Sequence, residues 1–177
     1  FKKVSKFHEN NASKKLTFGI VGRITAQKNP ELFNEIALMF PQYNFIWIGD
    51  GELKHAISAE NIKITGWLFS PEEVYHCINQ TDVFLQTSLW EGLPIAVLEA
   101  MALRKPVVAT NVIGNKDIVI PNENGFLFDK TIELSDYFKQ LESLAFRNKM
   151  SEKAYISAKE NFDMNENFKS LLEIYYS

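Results

Sequence analysis

The chain has 177 residues, the size of one compact domain, and with 46% apolar and 13% aromatic residues it can bury about 70% of its unfolded surface, which excludes disorder and any need of disulfides or metal for folding. Nineteen basic against 22 acidic side chains leave a net charge of −3, without the basic excess of a dedicated nucleic-acid binder. The single cysteine, Cys77, cannot pair internally, no leader pattern opens the chain, and the longest nearly apolar stretch, 93 to 103, falls short of the roughly 20 residues that span a bilayer, so the expectation is a cytoplasmic protein with no nucleic-acid partner.

Residues 1 to 15 carry Lys2, Lys3, Lys6, Lys14 and Lys15 against Glu9 and read as a solvated lead-in or linker segment. Peripheral contact with anionic lipid is the competing reading of those charges. Phe1 points to a piece of something longer. The domain proper then runs from 16 to 177, where short apolar runs alternate with helical patterns, the mark of an α/β chain with a parallel sheet. Strands are predicted at 16 to 21, 44 to 48, 62 to 64, 82 to 85, 107 to 109 and 126 to 128. Asn29-Pro30-Glu31 supplies an N-cap residue before a proline at the first helical position, and Ser70-Pro71-Glu72-Glu73 adds a capping box. Leu134, Tyr137, Phe138, Leu141 and Leu144 follow helical spacing, and Phe168, Leu171, Leu172 and Tyr175 repeat it.

In an open parallel sheet, ligands bind beyond the carboxyl ends of the strands, so the loops after the strands are where chemistry belongs. The first, Gly22-Arg23-Ile24-Thr25-Ala26-Gln27-Lys28, brings a planar fork of donors and a mobile point charge, suited to a diphosphate or, alternatively, simply solvated. Gly49-Asp50-Gly51 and Gly66-Trp67 offer glycines for a close ligand approach, or plain turn chemistry. The last, Trp90-Glu91-Gly92-Leu93-Pro94, leads into Ile95-Ala96-Val97-Leu98-Glu99-Ala100-Met101-Ala102-Leu103, apolar on every face except at Glu99. Such a helix is expected to be buried, so Glu99 needs a donor, either a ligand hydroxyl or an internal partner. Pro94 as first helical residue would leave the amides of the opening turn free for an anion.

The stretch Glu91-Gly92-Leu93-Pro94-Ile95-Ala96-Val97-Leu98-Glu99-Ala100-Met101-Ala102 resembles the E-x7-E signature of retaining GT-B glycosyltransferases of family 4, the glycosyl transferases group 1. The resemblance runs from about Phe18 to Phe128 and includes Gly22-Arg23 with Lys28, Gly49-Asp50-Gly51, Gly66, Thr81-Asp82-Val83-Phe84, Pro106-Val107-Val108-Ala109-Thr110 and Asn124-Gly125-Phe126-Leu127. It implies a Rossmann-like sheet with helices on both faces, the C-terminal half of a GT-B fold. By the same resemblance Arg23 and Lys28 hold the diphosphate of a nucleoside diphosphate sugar, and Glu91 is the catalytic carboxylate near the donor sugar. Glu99 takes the ribose hydroxyls. Gly92, Leu93, Pro94 and Ile95 offer backbone contacts, and Gly66-Trp67 lies near the base. Two stretches depart from the family pattern: Ile113-Gly114-Asn115-Lys116-Asp117, where a Gly-Gly pair and a Pro-Glu are common, and Arg104-Lys105, where a small residue is usual.

The implied function is transfer of a sugar from a nucleoside diphosphate to a glycan or lipid-linked acceptor held by a missing N-terminal domain. Surface polysaccharide assembly (capsule or lipopolysaccharide) at the inner face of the cell membrane is the implied setting, with no metal or other cofactor. The alternatives are a stand-alone nucleotide-sugar binding module without transfer activity and the donor half of a GT-B epimerase. His8, His55 and His76 are read as surface residues and Cys77 as packing.

Overall fold

The computed structural model describes residues 15–162. Six strands, β1 (Thr17–Val21), β2 (Asn44–Ile48), β3 (Ile62–Ile64), β4 (Val83–Gln86), β5 (Val107–Thr110) and β6 (Gly125–Phe128), form one sheet in the order β3-β2-β1-β4-β5-β6. All five pairings are parallel, for example Phe18 beside Phe45 and Phe84 beside Val107. Each strand lies within a residue of the expected span. The helices are α1 (Pro30–Met39), α2 (Pro71–Asn79), α3 (Ile95–Ala102), α4 (Asn115–Ile118), α5 (Leu134–Glu142) and α6 (Leu144–Phe162).

The period-two alternation of the strands sends side chains into two cores. Phe18, Phe45, Trp47, Val83, Leu85 and Val108 meet Phe33 and Ile36 of α1 and Phe138 and Leu141 of α5 on one face. Ile48, Phe84, Val107 and Ala109 meet Ile78 of α2, Val97 and Met101 of α3, and Ala154 of α6 on the other. Helices thus cover both faces, which a parallel sheet requires.

Local signals set the helix starts. Asn29 Oδ1 accepts from Leu32 N at 3.3 Å ahead of α1. Ser70 and Glu73 form the expected reciprocal capping box on α2. The stripe from Leu134 to Leu144 belongs to two helices, because Ser143 takes an extended ψ of 113° and ends α5 before Leu144 opens α6. At the departure Arg104-Lys105, Arg104 carries the positive φ of 59° that follows α3, pairs with Glu152 and stands 4.0 Å over the Tyr155 ring. The buried Lys105 donates to the carbonyls of Asn79 and Thr81. The lead-in at 1–14 and the helix expected around Phe168 lie outside the described residues.

The strand order reverses between β1 and β4, and the crevice above their carboxyl ends is the topological switch point. The loops leaving these two strands are tied together there. Leu89 N donates to Gln27 O at 2.8 Å, and Thr87 Oγ1 to Lys28 O at 2.8 Å.

Candidate functional site

The carboxylate at the centre of the crevice is Glu91, only 9% exposed although it sits in a loop. Its Oε1 accepts from Lys28 Nζ at 2.7 Å, Gln86 Nε2 at 2.8 Å and Ser88 Oγ at 2.6 Å, while Oε2 has one long contact, 3.5 Å from Gln27 Nε2. The backbone is held as firmly: Glu91 N donates to Ile113 O, and Thr110 Oγ1 to Ser88 O at 2.6 Å. Gly114 lies so close to this loop that a Cβ would come within 2.7 Å of Glu91 Cβ and 2.8 Å of the carbonyls of Glu91 and Gly92, and its φ of 87° disfavours any side chain. The unusual stretch at 113–117 is therefore the floor under Glu91.

Lys28 reaches Glu91 by running its stem over Gly22, where a Cβ would stand 2.9 Å from Lys28 Cε. Gly22 thus leaves room for the Lys28 stem. Gly49 likewise packs against the Gly22 carbonyl. Arg23 has a different environment from Lys28. It is solvent-exposed, 3.4 Å from Glu52, with its guanidinium 6.0 Å from the centre of the half-exposed Trp67 ring. Gly66, at φ 79°, turns the chain that presents Trp67 and has Asp50 Oδ2 for a neighbour. A backbone N–H from Gly51 holds the Asp50 carboxyl below its usual range, and Lys54 adds to the effect.

Glu99 departs from the expectation of a carboxylate inside an all-buried helix. α3 buries Val97, Ala100 and Met101 fully and Ala96 and Leu98 in part, leaving Ile95 55% exposed and Glu99 half-buried. Its Oε1 accepts from Tyr75 Oη at 3.2 Å. Burial and the Glu99 charge push the Tyr75 phenol above its ordinary value. Both side chains line a cleft of about 360 Å³ together with Val21, Leu68, Phe69, Ser70, Pro71 and Val74. Val21 is the last residue of β1, so the cleft opens beside the switch point.

Pro94 also differs from expectation. It is the residue before α3, with φ −78° and ψ 79°, and α3 begins at Ile95. Of the opening amides, Ile95 N donates to Leu93 O, and Val97 N and Leu98 N to Pro94 O. Gly92 is exposed, with nothing within 4 Å of where a Cβ would be, and Leu93 beside it is 56% exposed. Sequence reasoning missed Gln27, Tyr75, Gln86, Ser88 and Gly114. The run Gln86-Thr87-Ser88, three polar residues closing an apolar strand at the switch point, was the available signal for two of them. His55 and His76 are exposed, and the half-buried Cys77 has its thiol pushed up by burial.

Residues 1–157 match the family described as glycosyl transferases group 1. The chain belongs to this glycosyltransferase family. Among group 1 relatives, the UDP-Gal:alpha-D-GlcNAc-diphosphoundecaprenol alpha-1,3-galactosyltransferase of Escherichia coli is 35% identical over 134 residues, which is 67% of this chain and 33% of the relative. The C-terminal domain of a glycosyl transferase group 1 family protein (LpcC) from Francisella tularensis superposes with a TM-score of 0.72 at 23% identity, covering 84% of this chain and 87% of that one. HepE of Anabaena in complex with UDP-glucose gives 0.79 at 22% identity over 92% of this chain and 49% of its own. The fold is the Rossmann-like C-terminal domain of GT-B enzymes, and the chain spans about a third of the E. coli relative. Among the described residues no helix is long and apolar enough to cross a membrane.

Proposed function

We propose that residues 16–177, behind a lead-in at 1–15, form the donor-binding domain of a retaining glycosyltransferase that moves a sugar from UDP to a glycan or lipid-linked acceptor. A second, N-terminal domain holds that acceptor, and the work belongs to surface polysaccharide assembly at the inner face of the cell membrane. The observation that carries the reading is the crevice at the switch point, where a buried carboxylate–lysine pair, an open Gly92 and a cleft ending in Glu99 follow one another. A sugar, a diphosphate and a ribose fit in that order. UDP is the nucleotide chosen because it is the one named for the E. coli relative and bound in HepE.

In this reading the bond between the anomeric carbon and the diphosphate oxygen breaks while the acceptor oxygen bonds to the same face of the sugar, and the acceptor proton leaves with the diphosphate. Arg23 and Lys28 neutralise the departing charge together with backbone N–H groups of Gly92 and Leu93 ahead of Pro94. Lys28 has three N–H donors, of which one is on Glu91, so it can serve carboxylate and phosphate together. Glu91 accepts from a sugar hydroxyl and Glu99 from the ribose, while Gly66-Trp67 flanks the base.

Trp67 and Trp90, each 56% exposed, supply the test. Titration with UDP, GDP and ADP should change tryptophan emission most for UDP. No response to any of the three at millimolar concentration would refute the donor site.

A further inference from the structure

β4 and the residue pair after it end on Gln86, Thr87 and Ser88, three polar side chains with no exposed surface. Thr87 is accounted for by its bond to the Lys28 carbonyl. Gln86 and Ser88 converge on a single atom, Oε1 of Glu91, where Lys28 is the third donor. Burying a primary amide is unfavourable, and here only half of it is compensated, because Gln86 Oε1 has no hydrogen-bond partner among the described residues. Its N–H bond to the buried Glu91 carboxylate offsets part of that cost, so the glutamine serves the carboxylate beside it rather than the strand that carries it.

What the amide does explain is the asymmetry of the carboxylate. A carboxylate offers about two acceptor directions per oxygen. Oε1 already has three close donors, whereas Oε2 has only the 3.5 Å contact from Gln27. The Gln86 amide cannot turn over without aiming its own oxygen at Oε1.

We propose that Gln86 and Ser88 are positioning residues for sugar recognition: with Lys28 they saturate Oε1 of Glu91 and so reserve Oε2 as the acceptor for a hydroxyl of the transferred sugar. This rests on the donor-site reading above. It also goes further, because the two residues act on the sugar and leave the nucleotide untouched.

Gln86→Leu removes the donor and the orphaned oxygen together. Calorimetric titration of the full chain with UDP, UDP-glucose, UDP-galactose and UDP-N-acetylglucosamine gives the ratio of each sugar nucleotide's affinity to that of UDP. In Gln86→Leu the ratio should fall about 5- to 10-fold for the sugar that wild type binds best, with UDP affinity unchanged. An unchanged ratio for all three sugars overturns the proposal. So does an equal loss for UDP, which would make Gln86 mere scaffold. Should Gln86→Leu fail to fold, Ser88→Ala gives the same two-way reading of the ratio. If wild type binds no UDP, the donor-site reading falls and takes the proposal with it.

Discussion

Lys28→Met tests the centre of the site most directly, because methionine keeps the stem that packs over Gly22 and removes only the charge. The Lys28 and Glu91 side chains are 15% and 7% exposed, and their contact is 2.7 Å. Removing one partner of such a buried pair typically costs about 3 to 5 kcal/mol, since the other charge is left desolvated. Glu91 would keep Gln86, Ser88 and the long Gln27 contact, which places the loss at the lower end, about 3 kcal/mol. For a domain of this size that is a fall in Tm of about 6 to 12 °C.

Arg23→Met is the control. Its pair with Glu52 is 3.4 Å long, with side chains 65% and 59% exposed, and should contribute under about 1 kcal/mol. Thermal and urea unfolding of both variants, with Glu91→Gln and the double variant Lys28→Met/Glu91→Gln, complete a cycle. The double variant should recover part of the loss, a coupling of about 1 to 3 kcal/mol. The buried pair should also resist added salt better than the exposed one. If Lys28→Met melts with wild type, or no lower than Arg23→Met, the pair does not hold the crevice and the reasoning fails.

Arg23→Ala should weaken UDP about 10-fold or more while leaving uridine nearly unaffected, an effect that fades with salt and that calorimetry will read. Tyr75→Phe frees Glu99 Oε1 and should weaken UDP a few-fold but leave 2′-deoxy-UDP unchanged; equal losses for both ligands would return the Tyr75–Glu99 pair to a structural role. Gly114→Ala must place a methyl group 2.7 Å from Glu91 Cβ at φ 87° and should lower stability by at least about 2 kcal/mol in urea unfolding. Burial and the neighbouring Glu142 push the Tyr43 phenol from 10.0 up to about 12. The folded state keeps a proton that the unfolded chain loses, so the stability Tyr43 contributes is complete below pH 10 and is lost as pH rises toward 12. Urea unfolding at pH 9 and 12 should show a loss of about 2 kcal/mol that Tyr43→Phe lacks.

The elements that the sequence showed plainly are those built from neighbours along the chain. Short apolar runs, the Asn29-Pro30 start and the Ser70–Glu73 box act within a few residues of themselves, and the strands and both helix starts follow them. The break at Ser143 escaped because Leu144 opens α6 in phase with the stripe of α5, so the spacing survives a change of backbone direction. The degree of burial of the two glutamates depends on contacts that local sequence does not show. Glu99 lies among apolar residues, yet the eight-residue α3 buries only Val97, Ala100 and Met101 fully, and Glu99 is left half-buried at the edge of a cleft. Glu91 lies in a loop whose neighbours Trp90, Gly92 and Leu93 are exposed, yet its own side chain is buried because Ile113, Gly114 and Thr110, some 20 residues away, hold that loop against the end of the sheet.

Long-range pairing also changes how the site must be understood. The family resemblance assigned Lys28 to the diphosphate and Glu91 to the sugar, as though each faced its own part of the ligand. The structure joins them, 63 residues apart, in one 2.7 Å contact. A ligand phosphate that draws on Lys28 therefore alters the charge balance on Glu91, and a sugar hydroxyl on Oε2 competes for electron density that Oε1 shares with three donors. Substitutions at the two positions will not add. Loss of sugar discrimination in a Lys28 variant is accordingly expected even with Lys28 assigned to the diphosphate, and it separates from the Gln86 effect because only the Lys28 variant should also lose affinity for UDP.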